Sequence, residues 1–291
     1  IDLDTPINAH LSPLPNPAWD TITPRMLASH MAGMPHYKEN TDWVGLYRSV
    51  ALNTQYDTMM DAVDVFDDSE LLFEPGTDFH YSTLGTVLLG AVMGEAAGSN
   101  YRTVVEEQVF TPIDMQQTIV APSTAEGTPN MATAYTRRED EFRPWRPVNQ
   151  THRLPGGGWA ASSSDLARMG MAWLDADYIT PATRATFWTP QTLANGETNP
   201  QDYAIGLRVR DYEVNGIRAW NANHGGVSRG ALSWLLIFPE HDMALAFNTN
   251  AKTASREFHD FAITWEDLFA PFARAGTDGN AIHPGQMPAP D

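Results

Sequence analysis

Residues 79–98, FHYSTLGTVLLGAVMGEAAG, place three polar side chains directly before an apolar run. From Ser82 onward the apolar residues recur at the i, i+3, i+4 spacing that puts them on one face of a helix. They are Leu84, Val87, Leu88, Ala91 and Val92. Gly98 is placed to end this helix, since glycine readily adopts the left-handed conformation of a helix C-terminus. Tyr81-Ser82-Thr83 is therefore either a helix cap that carries a tyrosine or the edge of an active site.

Flanking segments extend the helical prediction in both directions. Thr23-Pro24 predicts an N-cap followed by a first-turn proline, and Gly33 with Pro35 ends the short helix that follows. Downstream, GGGWAASSSDLARMGMAWL, residues 156–174, moves from a glycine turn to a helix with a Ser-Asp start. We interpret this start as an ordinary N-cap.

The last third of the chain differs in character. Short segments rich in β-branched and aromatic residues, separated by turns, predict strands at 216–222, 230–238 and 243–249. The stretch 231–238 is apolar at successive positions, as expected of a strand that is covered on both faces. Residues 254–273 then predict an amphipathic helix. Helices in the middle followed by strands and a helix indicate an α+β fold.

Charge and cysteine content exclude several classes of function. The chain has 36 acidic and 18 basic residues, a formal charge of −18, and an acidic surface repels phosphate backbones, so nucleic acid is not an expected partner. The chain has no cysteine, which rules out disulfides and thiolate chemistry. Because HExxH and paired-histidine spacings are absent, we predict no metal site and no cofactor. No apolar run approaches the ~18 residues of a membrane span.

Two histidine segments are candidates for chemistry. His30 stands in LASHMAGMPHY, residues 27–37, and we interpret it as a hydrogen-bonded structural residue, the usual role of a lone histidine on a helix. His224 is followed by Gly225 and Gly226, which let a ligand or a second backbone approach a strand edge. The Val227 N–H beside them is a candidate oxyanion donor. The alternative is a tight hairpin with a solvent-facing histidine.

Five segments in order carry a resemblance to a known family. They are ITPRMLASHMAGMP (22–35), FEPGTDFHYSTLGTVLLGAVMGEAAG (73–98), FTPIDMQQT (110–118), GGGWAASSSDLARMGMAWL (156–174) and NHGGVSRGALSWLLIFPE (223–240). They resemble the blocks of the serine β-lactamase and penicillin-binding-protein-like hydrolases, in the branch with class C β-lactamases, D-aminopeptidases and esterases. The Tyr-Ser-Thr and the triple glycine are most like those of the mitochondrial β-lactamase-like serine protease and its bacterial relatives. The resemblance implies a β-lactamase/transpeptidase-like fold, in which an antiparallel sheet flanked by helices carries a mainly helical insert domain.

The resemblance also implies roles for individual residues. Tyr81 matches the tyrosine of the family's Tyr-x-Asn motif, which acts as general base or shares that duty. Thr83 stands where asparagine usually orients substrate. His224-Gly225-Gly226 matches the Lys-Thr-Gly strand motif in the His-x-Gly form of esterases and peptidases. We therefore predict that Tyr81 and His224 are catalytic, and that Thr83, Gly225, Gly226 and Val227 contact substrate.

The family's remaining motif, Ser-x-x-Lys, is absent from these 291 residues. The chain has two lysines, Lys38 and Lys252, and neither follows a serine by three positions. In the family this motif opens a helix upstream of the segment that IDLDTPI resembles, so the resemblance places it before Ile1. A phenol has a pKa near ~10 and is a poor base at neutral pH unless positive charge lies nearby.

Three explanations account for the missing pair. The favoured one is that the N-terminal strands and the Ser-x-x-Lys helix lie on a separate fragment or on sequence before Ile1. The second is a relative that has lost the nucleophile and acts as a scaffold or binding protein. The third is that Ser82 or Ser228 acts instead, although neither has a lysine or histidine at helical spacing to take its proton.

We therefore expect a serine hydrolase of esterase or peptidase type that acts through an acyl-enzyme on a small ester or peptide-like substrate. Residues 1–20 would be a connection from the N-terminal part, 21–150 a mainly helical domain, 151–275 a sheet-plus-helix domain and 276–291 a flexible tail. The expected partner is an N-terminal fragment of the same protein that carries Ser-x-x-Lys. The compartment is open, with a periplasmic or secreted location favoured.

Overall fold

Helices dominate the first two-thirds of the chain and strands the last third. The computed structural model describes residues 1–51, 53–138, 141–228, 230–252 and 264–273. The helices are α1 (Pro24–Ala28), α2 (Trp43–Ala51), α3 (Met59–Val63), α4 (Thr83–Ala97), α5 (Tyr101–Val105), α6 (Leu154–Gly157), α7 (Ser163–Ala172), α8 (Pro181–Trp188) and α9 (Trp265–Phe269). A π-helical turn covers Glu106–Phe110, and 3₁₀ turns cover Ile7–Ala9, Pro17–Trp19, Thr151–Arg153 and Pro239–His241.

Within the described residues, the strands form one larger sheet and three small ones. They are β1 (Ile119–Val120), β2 (Tyr135–Arg138), β3 (Glu141–Pro144), β4 (Trp159–Ala160), β5 (Arg208–Arg210), β6 (Glu213–Val214), β7 (Ile217–Arg218), β8 (Asn221–Ser228), β9 (Ala231–Phe238), β10 (Met243–Thr249) and β11 (Ala251–Lys252). The larger sheet is antiparallel in the order β10-β9-β8-β5. The small sheets are β1-β4, β11-β2-β3 and β6-β7.

The larger sheet is covered on both faces, as the apolar run 231–238 predicts. Successive side chains of a strand point to opposite faces. Leu235 and Ile237 pack in a cluster with Trp188 of α8 and Trp220, against which α7 residues also lie. The alternate residues Leu236 and Phe238 pack in a second cluster with Trp265 and Phe269 of α9. The predicted α+β fold with an antiparallel sheet flanked by helices is confirmed.

Helix α4 is the centre of the helical part of the molecule. Its predicted apolar residues are all buried, and they pack in one cluster with residues of α1 and α3. Gly98 caps its C-terminus in the left-handed conformation, at φ 59°, as the sequence predicts. Gly90 lies where α4 meets α6, and a Cβ there would overlap the Pro155 ring. None of the helices within the described residues is long and apolar enough to cross a membrane.

The first twenty residues are packed against the helical part. Ile7, Leu11 and Trp19 are buried in the same cluster as α4. The Arg25 side chain forms an ion pair with Asp4, at 2.7 Å between Nε and Oδ1. This segment therefore belongs to the helical core in the structure, and the division into domains at residues 20, 150 and 275 stays a prediction.

Two local predictions differ from the structure, and a third is described only in part. Helix α1 ends at Ala28, before the predicted stop at Gly33, because His30 takes up the left-handed conformation at φ 61°. The predicted strand 216–222 is divided between β7 and β8. Of the predicted helix 254–273, the described part forms α9 within a capping box at Thr264, while 253–263 and the predicted tail 276–291 lie outside the described residues.

Candidate active site

The segment Tyr81-Ser82-Thr83 is both a helix cap and the edge of a polar cluster. Ser82 is the N-cap of α4: its Oγ accepts the Gly85 N–H at 2.9 Å and donates to the Pro35 carbonyl at 2.6 Å. Ser82 is also buried, so both hydrogen bonds are shielded from water. This serine therefore holds the start of α4, and the neighbouring Tyr81 stays the predicted catalytic residue of the segment.

Two imidazoles accept backbone N–H groups beside Tyr81. Nδ1 of His30 accepts the Ser82 N–H at 3.3 Å, and Nδ1 of His36 accepts the Thr83 N–H at 3.2 Å. An accepting ring nitrogen carries no proton, so each histidine is bound in its neutral form. Burial, the largest cause in both cases, lowers the pKa of His36 and lowers that of His30 well below its usual value.

His224 on β8 is bonded to a tyrosine that the sequence analysis did not identify. Its Nε2 lies 2.9 Å from the Tyr203 hydroxyl. Burial raises the pKa of the Tyr203 phenol, and burial together with Arg208 lowers the pKa of His224 to about 4. The phenol therefore stays protonated and the imidazole neutral, and the two groups share one hydrogen bond.

The predicted catalytic pair lies within one cluster of rings. The Tyr81 and His224 ring centroids are 6.2 Å apart, and both rings face Tyr203, at 6.4 and 6.1 Å. His30 lies against Tyr81 at 4.3 Å and against Tyr203 at 4.6 Å. Residues from the segment before α4, the loop after α1, the loop before β5 and strand β8 thus converge on one place.

Two arginines supply positive charge to this cluster. The Arg208 guanidinium lies over the Tyr203 ring at 5.0 Å and the Tyr81 ring at 5.8 Å, and its Nε and Nη2 both donate to Gln201 Oε1. Arg153 donates to Gln150 Oε1 and, at 2.8 Å, to Ser228 Oγ. Neither arginine forms an ion pair with a carboxylate within the described part of the chain.

The electrostatics of Tyr81 reflect two opposing influences. Burial raises the pKa of its phenol, while Arg208, a hydrogen bond with the Thr83 side chain and Arg153 each lower it. A nearby cation stabilises the phenolate that a general base requires. These groups therefore cancel part of the rise in pKa that burial causes at Tyr81, the one phenol that the resemblance assigns to catalysis.

Strand β8 presents a free edge next to these rings. Strand β5 pairs with β8 at residues 221–223, whereas β9 pairs with it along 222–228. Residues 224–228 are therefore paired on one side within the described residues. A Cβ at Gly225 or Gly226 would meet only ordinary van der Waals contacts from Ser233 and Trp234, so packing inside the chain does not require these glycines. The Val227 side chain is 49% exposed.

The two serines considered as alternative nucleophiles are hydrogen-bonded. Ser82 is the buried cap of α4. Ser228 Oγ donates to Gln150 Oε1 at 3.1 Å and accepts from Arg153. Neither hydroxyl has a histidine or lysine as its hydrogen-bond partner in these contacts, so neither has a base to take its proton.

One group of carboxylates has the spacing of a metal site. Ligand atoms of Asp42, Asp67 and Asp68 lie within 4.8 Å of one another. Asp42 Oδ1 accepts the Gly45 N–H at 2.8 Å and so caps the first turn of α2. Burial and the neighbouring aspartates raise the pKa of Asp67. This group is explained by helix capping and shared protons, and it carries no metal assignment.

Sequence reasoning missed Tyr203, Arg208, Arg153 and His36, and it placed His30 outside the site. Residues 196–215 show neither helical nor strand periodicity, so nothing local to Tyr203 or Arg208 marks them. Arg208 reaches the site because β5 places it opposite Asn223, next to His224. The one available signal was the pair of histidines in LASHMAGMPHY, which share a segment although they are not at metal-ligand spacing.

The sequence matches a family model and several known proteins. The family model described as Beta-lactamase matches residues 1–266. Penicillin-binding protein 4* of Bacillus subtilis is 26% identical over 250 residues, covering 81% of this chain and 53% of the relative. The mitochondrial serine beta-lactamase-like protein LACTB of Homo sapiens is 26% identical over 213 residues, covering 65% of this chain and 38% of the relative. The chain thus spans about half or less of the length of these relatives.

Solved structures agree at the level of the fold. A D-stereospecific amidohydrolase from Streptomyces sp. superposes with a TM-score of 0.69 at 24% identity, covering 86% of this chain and 75% of the other. A penicillin binding protein from Bacillus halodurans gives 0.68 at 20% identity, covering 86% and 73%. D-amino acid amidase from Ochrobactrum anthropi SV3 gives 0.64 at 20% identity, covering 87% and 79%.

Proposed function

The chain belongs to the Beta-lactamase family, whose members are serine hydrolases, and from that membership we propose that it hydrolyses small esters or peptide-like amides through an acyl-enzyme. The observation that carries this proposal is the convergence of Tyr81 with two arginines that have no carboxylate partner among the described residues. They lie beside the edge of β8 that is paired on one side in that same part of the chain. A buried phenol held among cations is the environment that a proton-accepting tyrosine needs.

Tyr81 is the proton acceptor in this proposal. As the serine Oγ attacks the acyl carbonyl, its proton passes to the Tyr81 oxygen, and the same proton then goes to the departing alkoxide or amine. In the second half of the reaction Tyr81 accepts a proton from water as the water oxygen attacks the acyl carbonyl, and that proton returns to the serine Oγ as the acyl group leaves. The positive charge of Arg208 and Arg153 stabilises Tyr81 while it is deprotonated. In this proposal the serine and its lysine lie on polypeptide outside residues 1–291; within these residues no serine precedes a lysine by three positions.

The edge of β8 is the proposed binding site for the acyl group. Gly225 and Gly226 leave the backbone open to a substrate, and the Val227 N–H is the proposed donor to the oxyanion. Because Nε2 of His224 is bonded to Tyr203, we assign His224 to orienting this edge rather than to accepting a proton. Thr83 supports Tyr81 in this proposal, because its side chain lowers the pKa of that phenol.

Replacing the phenol tests the role of Tyr81. We expect Tyr81→Phe to lower kcat by about 10²–10⁴-fold on an activated ester, the range for loss of a general base, with the melting temperature unchanged. Tyr47→Phe is the matched control, since Tyr47 is 61% exposed on α2. Turnover of Tyr81→Phe at the wild-type rate would overturn the assignment.

The second candidate is a scaffold or binding protein of the same fold that has lost its nucleophile. It is favoured by the absence of Ser-x-x-Lys from the 291 residues and by the engagement of Ser82 and Ser228 in hydrogen bonds. A protein of this kind binds acyl compounds at the β8 edge without turnover. Saturable binding by calorimetry, combined with no hydrolysis of esters or amides, would support it over the hydrolase.

A further inference from the structure

His30 occupies a conformation that most residues avoid. It lies two residues beyond the end of α1 with φ at 61°, in the left-handed region where glycine is usual. It is 3% exposed. A non-glycine residue held in this region is strained and persists when the surroundings require it. The reason for a buried imidazole here therefore lies in what the side chain contacts.

His30 accepts hydrogen bonds from the two residues that flank Tyr81 in the chain. The His30 carbonyl accepts the His80 N–H at 2.9 Å, and the His30 Nδ1 accepts the Ser82 N–H at 3.3 Å. Together they fix the backbone immediately before and immediately after the tyrosine. The residues joined in this way are about fifty positions apart in the sequence, so this attachment is tertiary rather than a local turn.

The ring of His30 also fixes the phenol itself. It packs at 4.3 Å from the Tyr81 centroid and 4.6 Å from the Tyr203 centroid. Tyr203 is in turn bonded to His224. One side chain thus contacts the proposed proton acceptor and the tyrosine that is hydrogen-bonded to His224.

We propose that His30 is a positioning residue for the Tyr81 phenol, acting through the backbone bonds to residues 80 and 82 and through its ring face. The kinetic part of this inference rests on the proposed function, whereas the structural part does not. His30 contacts no reacting atom in this account. It holds Tyr81 at the distance from the β8 edge at which the phenol can exchange a proton with the serine.

Three substitutions separate the features that His30 combines. His30→Asn keeps a side-chain acceptor near the Nδ1 position and tolerates φ near 60°, but it loses the ring. His30→Phe keeps a ring and loses the acceptor. His30→Gly keeps the backbone conformation alone. His241→Asn is the matched control. His241 is also 3% exposed, but it lies against Phe269 of α9 and not in the cluster around Tyr81.

The first measurement is ¹⁹F NMR on the 291-residue chain with 3-fluorotyrosine at position 81, which requires no turnover. We expect one sharp resonance in the wild-type chain and in the His241→Asn control. In His30→Gly we expect a broadened or divided resonance and a phenol pKa moved toward that of free 3-fluorotyrosine, with His30→Asn in between. An unchanged resonance and titration in His30→Gly would overturn the proposal. If His30→Gly does not fold, the comparison of His30→Asn and His30→Phe with wild type decides in the same way.

The second measurement is steady-state kinetics of the complete protein that contains this chain. A misplaced catalytic group can cost about 10²-fold in rate, so we expect His30→Gly to lose about that factor in kcat while KM changes less than about threefold. His30→Asn should recover part of the loss. Equal kcat in wild type and His30→Gly would contradict the inference. A wild-type protein without turnover would instead defeat the proposed function, and the NMR result would still decide the role of His30.

Discussion

Arg208 is the residue whose charge matters most to the proposed chemistry. It lies over two phenol rings, and its hydrogen-bond acceptor is the neutral amide of Gln201. A carboxylate in that place would cancel the charge, whereas an amide leaves it to act on Tyr81. In the proposed function, the guanidinium supplies part of the positive charge that a proton-accepting phenol needs.

Arg208→Gln removes this charge with little change in side-chain length. Arg208 lowers the pKa of Tyr81, so we expect the substitution to raise the pKa of that phenol and to reduce kcat/KM by about tenfold for each pKa unit gained. Titration of Tyr81 by NMR and steady-state kinetics provide the two readouts. Arg210→Gln is the control on the same strand, because Arg210 pairs with Asp202. Equal losses in both variants would show a general effect of strand β5.

Helix α4 connects the site to the helical core. Its N-terminus is bonded to Pro35, His30 and His36 through residues 82 and 83, and its middle packs on α6 at Gly90. The close approach at Gly90 sets the distance between α4 and α6. Because Arg153 directly precedes α6 in the chain, the same contact also sets the distance between α4 and Arg153.

Gly90→Ala tests that close approach. At an open helical position the change would stabilise the protein by about 1 kcal/mol. Here the added methyl group overlaps the Pro155 ring, so we expect the opposite sign, a loss of about 1–3 kcal/mol in the free energy of unfolding. Urea denaturation measures it. An increase in stability would mean that α4 and α6 are not in close contact at this point.

The elements most accessible to sequence reasoning are those with a local signal. Helix α4 and strand β9 follow directly from periodicity and from an apolar run. Tyr81 and His224 follow from motifs next to those elements, just before α4 and on β8. Tyr203 and Arg208 carry no such signal, since the β5–β8 register that brings Arg208 beside His224 is set by tertiary packing. His30 is hydrogen-bonded and buried, as predicted for a structural residue, but its partners could not be predicted because residues 80 and 82 are distant from it in the sequence.

At the scale of the whole molecule, an acidic protein encloses a cluster of neutral and cationic groups. The chain carries a formal charge of −18, while the site contains Arg153, Arg208 and three histidines that are bound in their neutral form. Each of those histidines has a lowered pKa, caused first by burial. The folded state therefore binds fewer protons at these three histidines than the unfolded state does.

The sign of this linkage predicts acid sensitivity. Histidine in the unfolded chain has a pKa of about 6.5, whereas burial in the folded chain lowers the pKa of His224 to about 4. Between these values the unfolded chain binds more protons, so stability is complete above about pH 6.5 and falls as pH drops through that window. Urea unfolding at a series of pH values measures the slope, which His36→Gln should reduce. A stability that is constant or rises between pH 6.5 and 4 would contradict the neutral assignments.

The position of a fluorophosphonate adduct tests the central claim most directly, since this reagent forms a phosphonyl ester with an activated serine Oγ and releases fluoride. Intact mass followed by peptide mapping of the purified protein locates the adduct. We predict one adduct, on a serine followed three residues later by lysine and outside residues 1–291, formed about 10²-fold more slowly in Tyr81→Phe than in wild type or Tyr47→Phe. An adduct on Ser82 or Ser228, or labelling at the same rate in Tyr81→Phe, would contradict the account.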